Sequence, residues 1–232
     1  MESCLECTGL TKRFGTAQAL DAISLSILPG RVVGLLGPNG SGKTTLIKLA
    51  NGLLTPTAGE IRICGRKPGK ESKALVSYLP DRPCLPDWMS AKQLMDYYAD
   101  FYTDFDRSRA ADMLASLKLS EKQRISQMSK GMKEKVQLIL VMSRRARLYL
   151  LDEPIGGVDP ATRDYILDTI IRNYDENASV VISTHLISDV ENVLDEAVFL
   201  REGKVTMHAA VDDIREQYGK SVDAVFREVF RC

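Results

Sequence analysis

Residues 31–50 read "RVVGLLGPNGSGKTTLIKLA". This stretch opens with an apolar run, passes through a glycine-rich loop and continues into residues that favour a helix, so it predicts a buried strand, a tight turn and a helix. Residues 37–44 fit the pattern G-x-x-x-x-G-K-[ST], which has its meaning only between a strand and a helix. The stretch therefore predicts a phosphate-binding loop rather than a glycine turn followed by a surface lysine.

Each part of this loop has a chemical role in binding a nucleoside triphosphate. The glycines let successive backbone N–H groups point at phosphate oxygens, and the start of the helix adds its positive end. Lys43 is expected to reach the β- and γ-phosphates and to act in catalysis, while the Thr44 hydroxyl is offered to Mg²⁺. The predicted nucleotide-binding residues are Gly37, Pro38, Asn39, Gly40, Ser41, Gly42, Lys43, Thr44 and Thr45.

A second buried strand ends in two acidic residues. Residues 147–154, "RLYLLDEP", give an apolar run that finishes in Asp152 and Glu153. Asp152 at the strand tip can hold Mg²⁺ directly or through water. Glu153 points in another direction, where it can polarise a water for attack on the γ-phosphate. Pro154 disfavours the alternative that the acids begin a helix.

The pattern of elements outside these two motifs predicts an α/β protein. Strands are expected at 24–28, 59–65 and 178–185, and a hairpin at 197–209. Helices are expected at 160–174, 186–194 and 211–219, with a further helix in 218–230. Alternation of strands and helices predicts a mainly parallel sheet covered by helices.

The middle of the chain differs from both ends. From Ser90 to about Arg145 glycine and proline are scarce, which predicts a helical insert. The segments "SAKQ" (90–93) and "SEKQ" (120–123) both fit the capping box and are predicted to start helices.

Composition limits the classes of partner. The 232 residues contain 31 Lys plus Arg and 31 Asp plus Glu, so no net charge attracts the chain to nucleic acid, and none is expected as a partner. Five cysteines, an odd number, and no secretory signal predict a reducing, cytoplasmic setting. Cys4 and Cys7 form C-x-x-C, but the second ligand pair of a zinc site is missing, so they are predicted to be thiols on an N-terminal strand. No apolar run approaches the roughly 20 residues of a membrane helix.

The order of motifs resembles the ATP-binding cassette of ABC transporters. The phosphate loop is followed by the helical insert, "MSKGMKEK" (128–135), "LYLLDEP", "GGVDP" (156–160) and "ISTH" (182–185). The resemblance covers the whole chain and implies a P-loop NTPase (RecA-like) core with an N-terminal antiparallel β-subdomain and an inserted α-helical subdomain. Residues 1–232 would form one ABC ATPase domain, with the helical subdomain at about 85–146 between segments 1–84 and 147–232.

The resemblance also implies residues that act across a dimer. In this family two cassettes pair head to tail, and each ATP lies between one phosphate loop and the partner's signature loop. Ser129 and Gly131 match signature residues that touch the partner's γ-phosphate, whereas Lys130 and Met132 replace the family's glycine and glutamine. The family's dimer-seam loop matches Gly156, Gly157, Val158 and Asp159. His185 matches the histidine that bonds the γ-phosphate, and Phe14 lies where a ring stacks on adenine, unless it is a core residue.

Asp81 in "VSYLPDRP" (76–83) departs from the family pattern, which has a Mg²⁺-binding glutamine there. Two interpretations stay open. Asp81 takes the glutamine's role, since carboxylate oxygen suits Mg²⁺, or the loop is displaced and Arg82 changes the local charge. The family's cassettes contact their membrane partner at this loop.

The function implied is that of the energy-supplying subunit of a transporter, an Mg²⁺-dependent ATPase that closes as a homo- or heterodimer around two ATP. The membrane permease would be a separate chain, which would hold this subunit at the inner face of the cell membrane. The short C-terminal tail, "LPDRP" and "SKGM" favour export. The alternative is a non-transport ABC ATPase acting on a macromolecular partner. His208 matches no family position and is expected at the surface.

Overall fold

The structure is a computed structural model that describes residues 2–230, so Cys232 lies outside the described residues. The strands in this part of the chain are β1 (Leu5–Phe14), β2 (Ala17–Ile27), β3 (Val32–Leu36), β4 (Ala58–Ile63), β5 (Val76–Leu79), β6 (Leu148–Asp152), β7 (Ser179–Thr184), β8 (Glu196–Arg201) and β9 (Lys204–Ala210). The helices are α1 (Lys43–Ala50), α2 (Lys70–Leu75), α3 (Ala91–Phe101), α4 (Arg107–Ser116), α5 (Lys130–Met142), α6 (Pro160–Asn173), α7 (Ile187–Val190), α8 (Val211–Tyr218) and α9 (Val222–Val229).

A six-stranded sheet forms the centre of the molecule, in the order β5-β6-β7-β3-β8-β9. Its strands run parallel except for β9, which pairs with β8 as an antiparallel hairpin. Every residue of β3, β6 and β7 is buried, as expected for strands covered on both faces. The predicted α/β class with a mainly parallel sheet is confirmed.

A second sheet, of order β2-β1-β4, is wholly antiparallel and forms the N-terminal β-subdomain. Its inner face packs on α1 and on the central sheet: Leu20 and Ile61 belong to the same buried cluster as Leu46 of α1 and Val33 of β3. Helix α1, which follows the phosphate loop, is therefore held between two sheets.

Helices α3, α4 and α5 follow one another between β5 and β6 and form the helical insert. The box at Ser90 is confirmed, because Ser90 Oγ accepts from Gln93 N–H and the Gln93 side chain accepts from Ser90 N–H. Arg144 joins this insert to the central sheet. Its buried guanidinium is paired with Asp104 at 3.0 Å, stacks on the ring of Tyr102 and donates to the carbonyl of Val76, where β5 begins.

The prediction that residues 120–123 start a helix is wrong. Ser120 and Gln123 close only a single turn, in which Gln123 N–H donates to Ser120 C=O. The backbone then bonds to the strand-like segment before α3: Gln123 C=O accepts from Ala91 N–H, and Ile125 N–H donates to Met89 C=O. These tertiary hydrogen bonds take the groups that a helix would have needed, and the long helix begins at Lys130 instead.

The predicted C-terminal helices exist but are shorter than expected. The helix predicted at 186–194 is only α7, Ile187–Val190, because its last residues turn toward β8. The helix predicted in 218–230 is α9, Val222–Val229, capped by Ser221. No helix within residues 2–230 has both the length and the apolar character required to cross a bilayer.

Candidate functional site

The motifs predicted from the sequence meet at one edge of the central sheet. The phosphate loop follows β3, Asp152 ends β6 and His185 follows β7. These strands are neighbours and parallel, so their carboxyl ends lie side by side, where α/β proteins bind ligands. They border an open cleft of about 840 Å³.

The phosphate loop needs glycine for two different reasons. Gly42, the residue before α1, has φ of 111°, a conformation that side chains disfavour. Gly37 has no such angle, but a Cβ there would lie 2.4 Å from the carbonyl oxygen of Leu200. A side chain at either position would displace the loop that begins the helix.

Lys43 is turned inward and closes the loop on itself. Its Nζ donates to the carbonyl of Gly37 at 2.7 Å and to that of Pro38 at 3.2 Å, and lies 3.5 Å from Glu153 Oε1. Burial lowers the pKa of Lys43, and the negative charge of Glu153 opposes that shift. The lysine is thus held by groups that a triphosphate can replace.

Asp152 is buried with one oxygen satisfied and the other unpaired. Its Oδ1 accepts from Thr44 Oγ1 at 3.1 Å and from Ser183 Oγ at 2.6 Å, whereas Oδ2 has no hydrogen-bond partner. Burial raises the pKa of Asp152, as does the charge of Asp81, while both hydroxyl groups lower it. A buried, unpaired carboxylate oxygen beside a threonine hydroxyl is a donor set that suits a hard cation such as Mg²⁺.

Ser183 is a site residue that sequence reasoning missed. Besides bonding Asp152, it fixes the next residue, because Glu153 N–H donates to the carbonyl of Ser183 at 3.0 Å and lies 3.2 Å from its Oγ. The sequence signal for Ser183 was its place in "ISTH", near the carboxyl end of the predicted strand and two residues before His185.

Glu153 and His185 form a pair at the mouth of the cleft. His185 Nδ1 lies 3.1 Å and 3.2 Å from the two carboxylate oxygens. Glu153 has φ of 50°, a left-handed conformation unusual for this residue type. The backbone bonds to Ser183 hold it there, so its carboxylate faces the phosphate loop.

Asp81 and Arg82 line the same cleft as Lys43 and Thr44. The charges of both side chains therefore lie near the predicted phosphate site under either interpretation of the Asp81 loop. Asp81 is exposed to solvent. Among the described residues no group of three or more His, Cys, Asp or Glu side chains is placed to hold a metal ion.

The signature residues divide into two groups. Lys130 lines the cleft of its own chain, 3.6 Å from Glu134, and its Nζ lies 3.7 Å from a Cβ built on Gly157. Ser129 is exposed and caps α5, where its Oγ accepts from Met132 N–H. Ser129, Gly131 and Met132 do not line that cleft, and Met132 packs on the core of the insert.

The residues predicted for the dimer seam begin at Gly156, three residues after Glu153. Gly156 N–H donates to the carbonyl of Glu153 at 3.0 Å, which bends the chain back over the cleft. Val158 packs on the core, and Asp159 caps α6 by accepting from Thr162 N–H at 3.1 Å. These contacts present Gly157 at the surface beside Lys130.

Phe14 is not a core residue. Its side chain is 49% exposed at the tip of the β1–β2 hairpin, with Lys12 Nζ 5.0 Å from the ring centre. Ala19 of the same hairpin lines the nucleotide cleft. His208 is at the surface as expected, paired with Glu196 at 2.8 Å.

Comparison with known proteins agrees with this geometry. The profile of the family described as ABC transporter matches residues 20–156. The chain is 30% identical to an uncharacterised ABC transporter ATP-binding protein of Bacillus subtilis, YxlF, over 94% of this chain and 75% of that protein. It is 32% identical to the SkfA peptide export ATP-binding protein SkfE of the same organism, over 92% of each chain.

A solved structure described as the ATP-binding subunit of an ABC transporter superposes with a TM-score of 0.89 at 28% identity, covering 99% of this chain and all of that one. The profile match spans the phosphate loop, the helical insert and both acidic residues of the β6 end. The chain therefore belongs to the ABC transporter family, as one of its ATP-binding subunits with ATPase activity.

Proposed function

We propose that this chain supplies the energy for an export-type ABC transporter, in which two such subunits close around two ATP molecules and drive a permease carried on a separate chain. The observation that carries the proposal is the meeting of Lys43, Glu153 and His185 at one cleft, with Asp152 hydrogen-bonded to Thr44 of the same cleft. Similarity to a peptide export ATP-binding protein supports the direction of transport.

ATP binding would exchange contacts that exist within the free chain. The phosphates would take Lys43 from the carbonyls of Gly37 and Pro38 and from Glu153, which lies 3.5 Å away. Backbone N–H groups of the loop and the start of α1 would bind the remaining phosphate oxygens. Loss of the Lys43 contact leaves the Glu153 carboxylate free to accept a proton.

Mg²⁺ would be held by Thr44 Oγ1 and the unpaired Oδ2 of Asp152, together with phosphate oxygens. When bound, the ion neutralises charge on the β- and γ-phosphates and favours departure of the leaving oxygen. Ser183 keeps the Asp152 carboxylate oriented for this role through its 2.6 Å hydrogen bond. We keep Asp81 as a further candidate ligand.

Hydrolysis would use Glu153 as the group that accepts a proton from the attacking water. His185, 3.1 Å from Glu153, would orient that carboxylate and bond the γ-phosphate. Phe14, exposed beside the cleft wall, would stack on the adenine.

The signature loop would complete the site of a second subunit. Ser129 is exposed at the N-terminus of α5 and lies outside the cleft of its own chain, so its hydroxyl and the helix end are free to face another subunit. Lys130 would bring a positive charge to the seam between the chains.

Replacing Ser129 with arginine is expected to abolish hydrolysis while the isolated chain still binds ATP, because the larger cation would block closure of the pair. Binding is measured with a fluorescent ATP analogue and hydrolysis by phosphate release. Ser126→Arg, an equally exposed serine of the same segment, is the matched control and should hydrolyse normally. Loss of ATP binding by the Ser129→Arg monomer would mean that Ser129 acts in its own chain's site.

A second cleft, of about 790 Å³, would receive the permease. Asp81 and Arg82 line this cleft too, and its aromatic lining residues are Tyr78, Tyr98 and Tyr102. The segment that contains Asp81 contacts α5, the helix that Ser129 caps. The side-chain carbonyl of Gln137 in α5 is buried and accepts from Cys84 N–H at 3.0 Å. Docking there would place the subunit at the cytoplasmic face of the membrane.

Purification of the tagged chain from detergent-solubilised membranes tests this assignment. We expect a polytopic membrane protein in stoichiometric amount, and we expect the chain's ATPase rate to respond to that protein's substrate. Recovery with ribosomes or DNA-bound proteins alone would support the non-transport alternative.

Replacing Asp81 with glutamine is expected to move the Mg²⁺ titration of the isolated ATPase to higher concentration without abolishing activity. An amide oxygen is a weaker ligand for a hard cation than a carboxylate. Asp87→Asn, an exposed acid nearby that pairs with Lys133, should leave the titration unchanged. If Asp81→Gln also leaves it unchanged and instead uncouples hydrolysis from transport in the assembled complex, Asp81 faces the permease and not the metal.

A further inference from the structure

Cys4 and Cys64 face each other at one end of the antiparallel sheet. They extend the β1–β4 pairing one step beyond Leu5 and Ile63, and Cys64 N–H donates to Cys4 C=O at 3.0 Å. Their sulfur atoms are 3.9 Å apart. Residues directly opposite on antiparallel strands have Cα atoms about 4.5–5.5 Å apart, a separation that a disulfide can span.

A separate cleft of about 580 Å³ opens beside this pair, at the amino ends of β6 and β7 and so on the side of the sheet opposite to the nucleotide site. Its lining has two arginines, Arg145 and Arg147, and two acids, Glu2 and Asp175, so the charges of the cleft are balanced. Cys64 is only half-buried, whereas Cys4 is 2% exposed, so a small molecule in the cleft can reach Cys64 first.

The surroundings of the two thiols shift their pKa values in opposite directions. The hydrogen bond from Cys4 is the largest cause that lowers the pKa of Cys64 to about 7, with help from Arg147 and Arg66 and opposition from burial and Glu2. The pKa of Cys4 is raised by its bond to Cys64 and by burial. These directions favour Cys64 as the attacking sulfur. Cys4 Sγ also lies 3.3 Å from the carbonyl oxygen of Arg147, to which its S–H can donate.

We propose that Cys64 is a modification site for disulfides of small thiols, and that Cys4 resolves the resulting mixed disulfide into a Cys4–Cys64 bond. Both protein sulfurs belong to the β-subdomain, so the bond would join the start of β1 to the turn after β4.

The chemistry balances in two exchange steps. The Cys64 thiolate attacks one sulfur of the reagent, its S–S bond breaks, and one thiolate leaves. Cys4 sulfur then attacks Cys64 Sγ, the mixed S–S bond breaks, and the proton of Cys4 passes to the second departing thiolate. Two protein thiols are oxidised by two electrons, and the reagent is reduced to two thiols.

The test treats the full chain with oxidised glutathione after Cys84 and Cys232 have been replaced by serine. Acid-quenched samples are digested without reduction and mapped by mass spectrometry. We expect a Cys4–Cys64 disulfide in this chain and, because that bond closes a long loop, a Tm higher by several degrees. With Cys4→Ser added, one glutathione should remain on Cys64. With Cys64→Ser added, Cys4 should stay unmodified.

Buried Cys7, 3% exposed on the same strand, is the internal control and should stay reduced throughout. The mapping of the chain with both thiols intact depends on no substitution in the pair, so a folding defect in either variant does not affect it. Free Cys4 and Cys64 after treatment that fully modifies Cys84 of the unaltered chain would overturn the proposal. So would a Cys4→Ser variant that folds and takes up no glutathione.

Discussion

Replacing Lys43 with alanine is expected to abolish ATP hydrolysis and to weaken ATP binding by about tenfold or more. Lys43 is the cation that the loop holds closest to the phosphate position, with its Nζ 2.7 Å from the carbonyl of Gly37. Alanine removes the charge that stabilises the β- and γ-phosphates both before and during transfer, so the rate should fall by more than the affinity. Phosphate release and equilibrium binding of a fluorescent ATP analogue measure the two losses separately.

Lys92→Ala on the exposed face of α3 is the control, since it removes one positive charge and lines neither the nucleotide cleft nor the second cleft. Its hydrolysis should stay within about twofold of the unaltered chain, as for a surface change away from the site. Turnover by Lys43→Ala at the rate of the unaltered chain would contradict the assignment of the nucleotide site.

Replacing Glu153 with glutamine is expected to slow hydrolysis by on the order of 10² or more while ATP binding remains. Glutamine keeps the size of the side chain but cannot accept a proton from water, so the loss falls on the chemical step. Removal of the negative charge also ends the 3.5 Å contact with Lys43, which leaves the lysine free for phosphate. Single-turnover hydrolysis measures the first effect and binding of the ATP analogue the second.

Glu176→Gln, an exposed residue of the loop before β7, should hydrolyse ATP normally. If Glu153→Gln hydrolysed ATP at an unchanged rate in a single turnover, another group would be the base. If it failed to bind ATP, its role would be structural, through the turn that its left-handed backbone makes.

The sequence predicted the parts of the site whose chemistry depends on spacing along the chain. The loop from Gly37 to Thr44 and the two acids after β6 each lie within one short segment, and the local sequence dictates their geometry. The alternation of strands and helices likewise predicted a mainly parallel sheet. The strands of such a sheet are buried on both faces, so their sequences are apolar at every position.

Contacts between distant segments could not be predicted. The capping box at residues 120–123 has the local chemistry that starts a helix. Hydrogen bonds between this segment and the backbone of Met89 and Ala91 stabilise a non-helical conformation instead. Ser183 bonds Asp152 only because β6 and β7 are neighbours, and Lys130 reaches the cleft only because α5 begins beside Gly157. The sequence likewise contains both Cys4 and Cys64, but only their pairing across the sheet brings the sulfur atoms together.

Two copies of this chain, or this chain and a related one, are proposed to enclose ATP between a phosphate loop and a signature loop. The most direct measurement is the solution mass of Glu153→Gln by light scattering after size exclusion, with and without ATP and Mg²⁺. A homodimer predicts a doubling of mass with ATP, which the added Ser129→Arg change should prevent. A Glu153→Gln chain that binds ATP yet keeps the mass of one chain, both alone and when mixed with its partner ABC subunit, would contradict the claim.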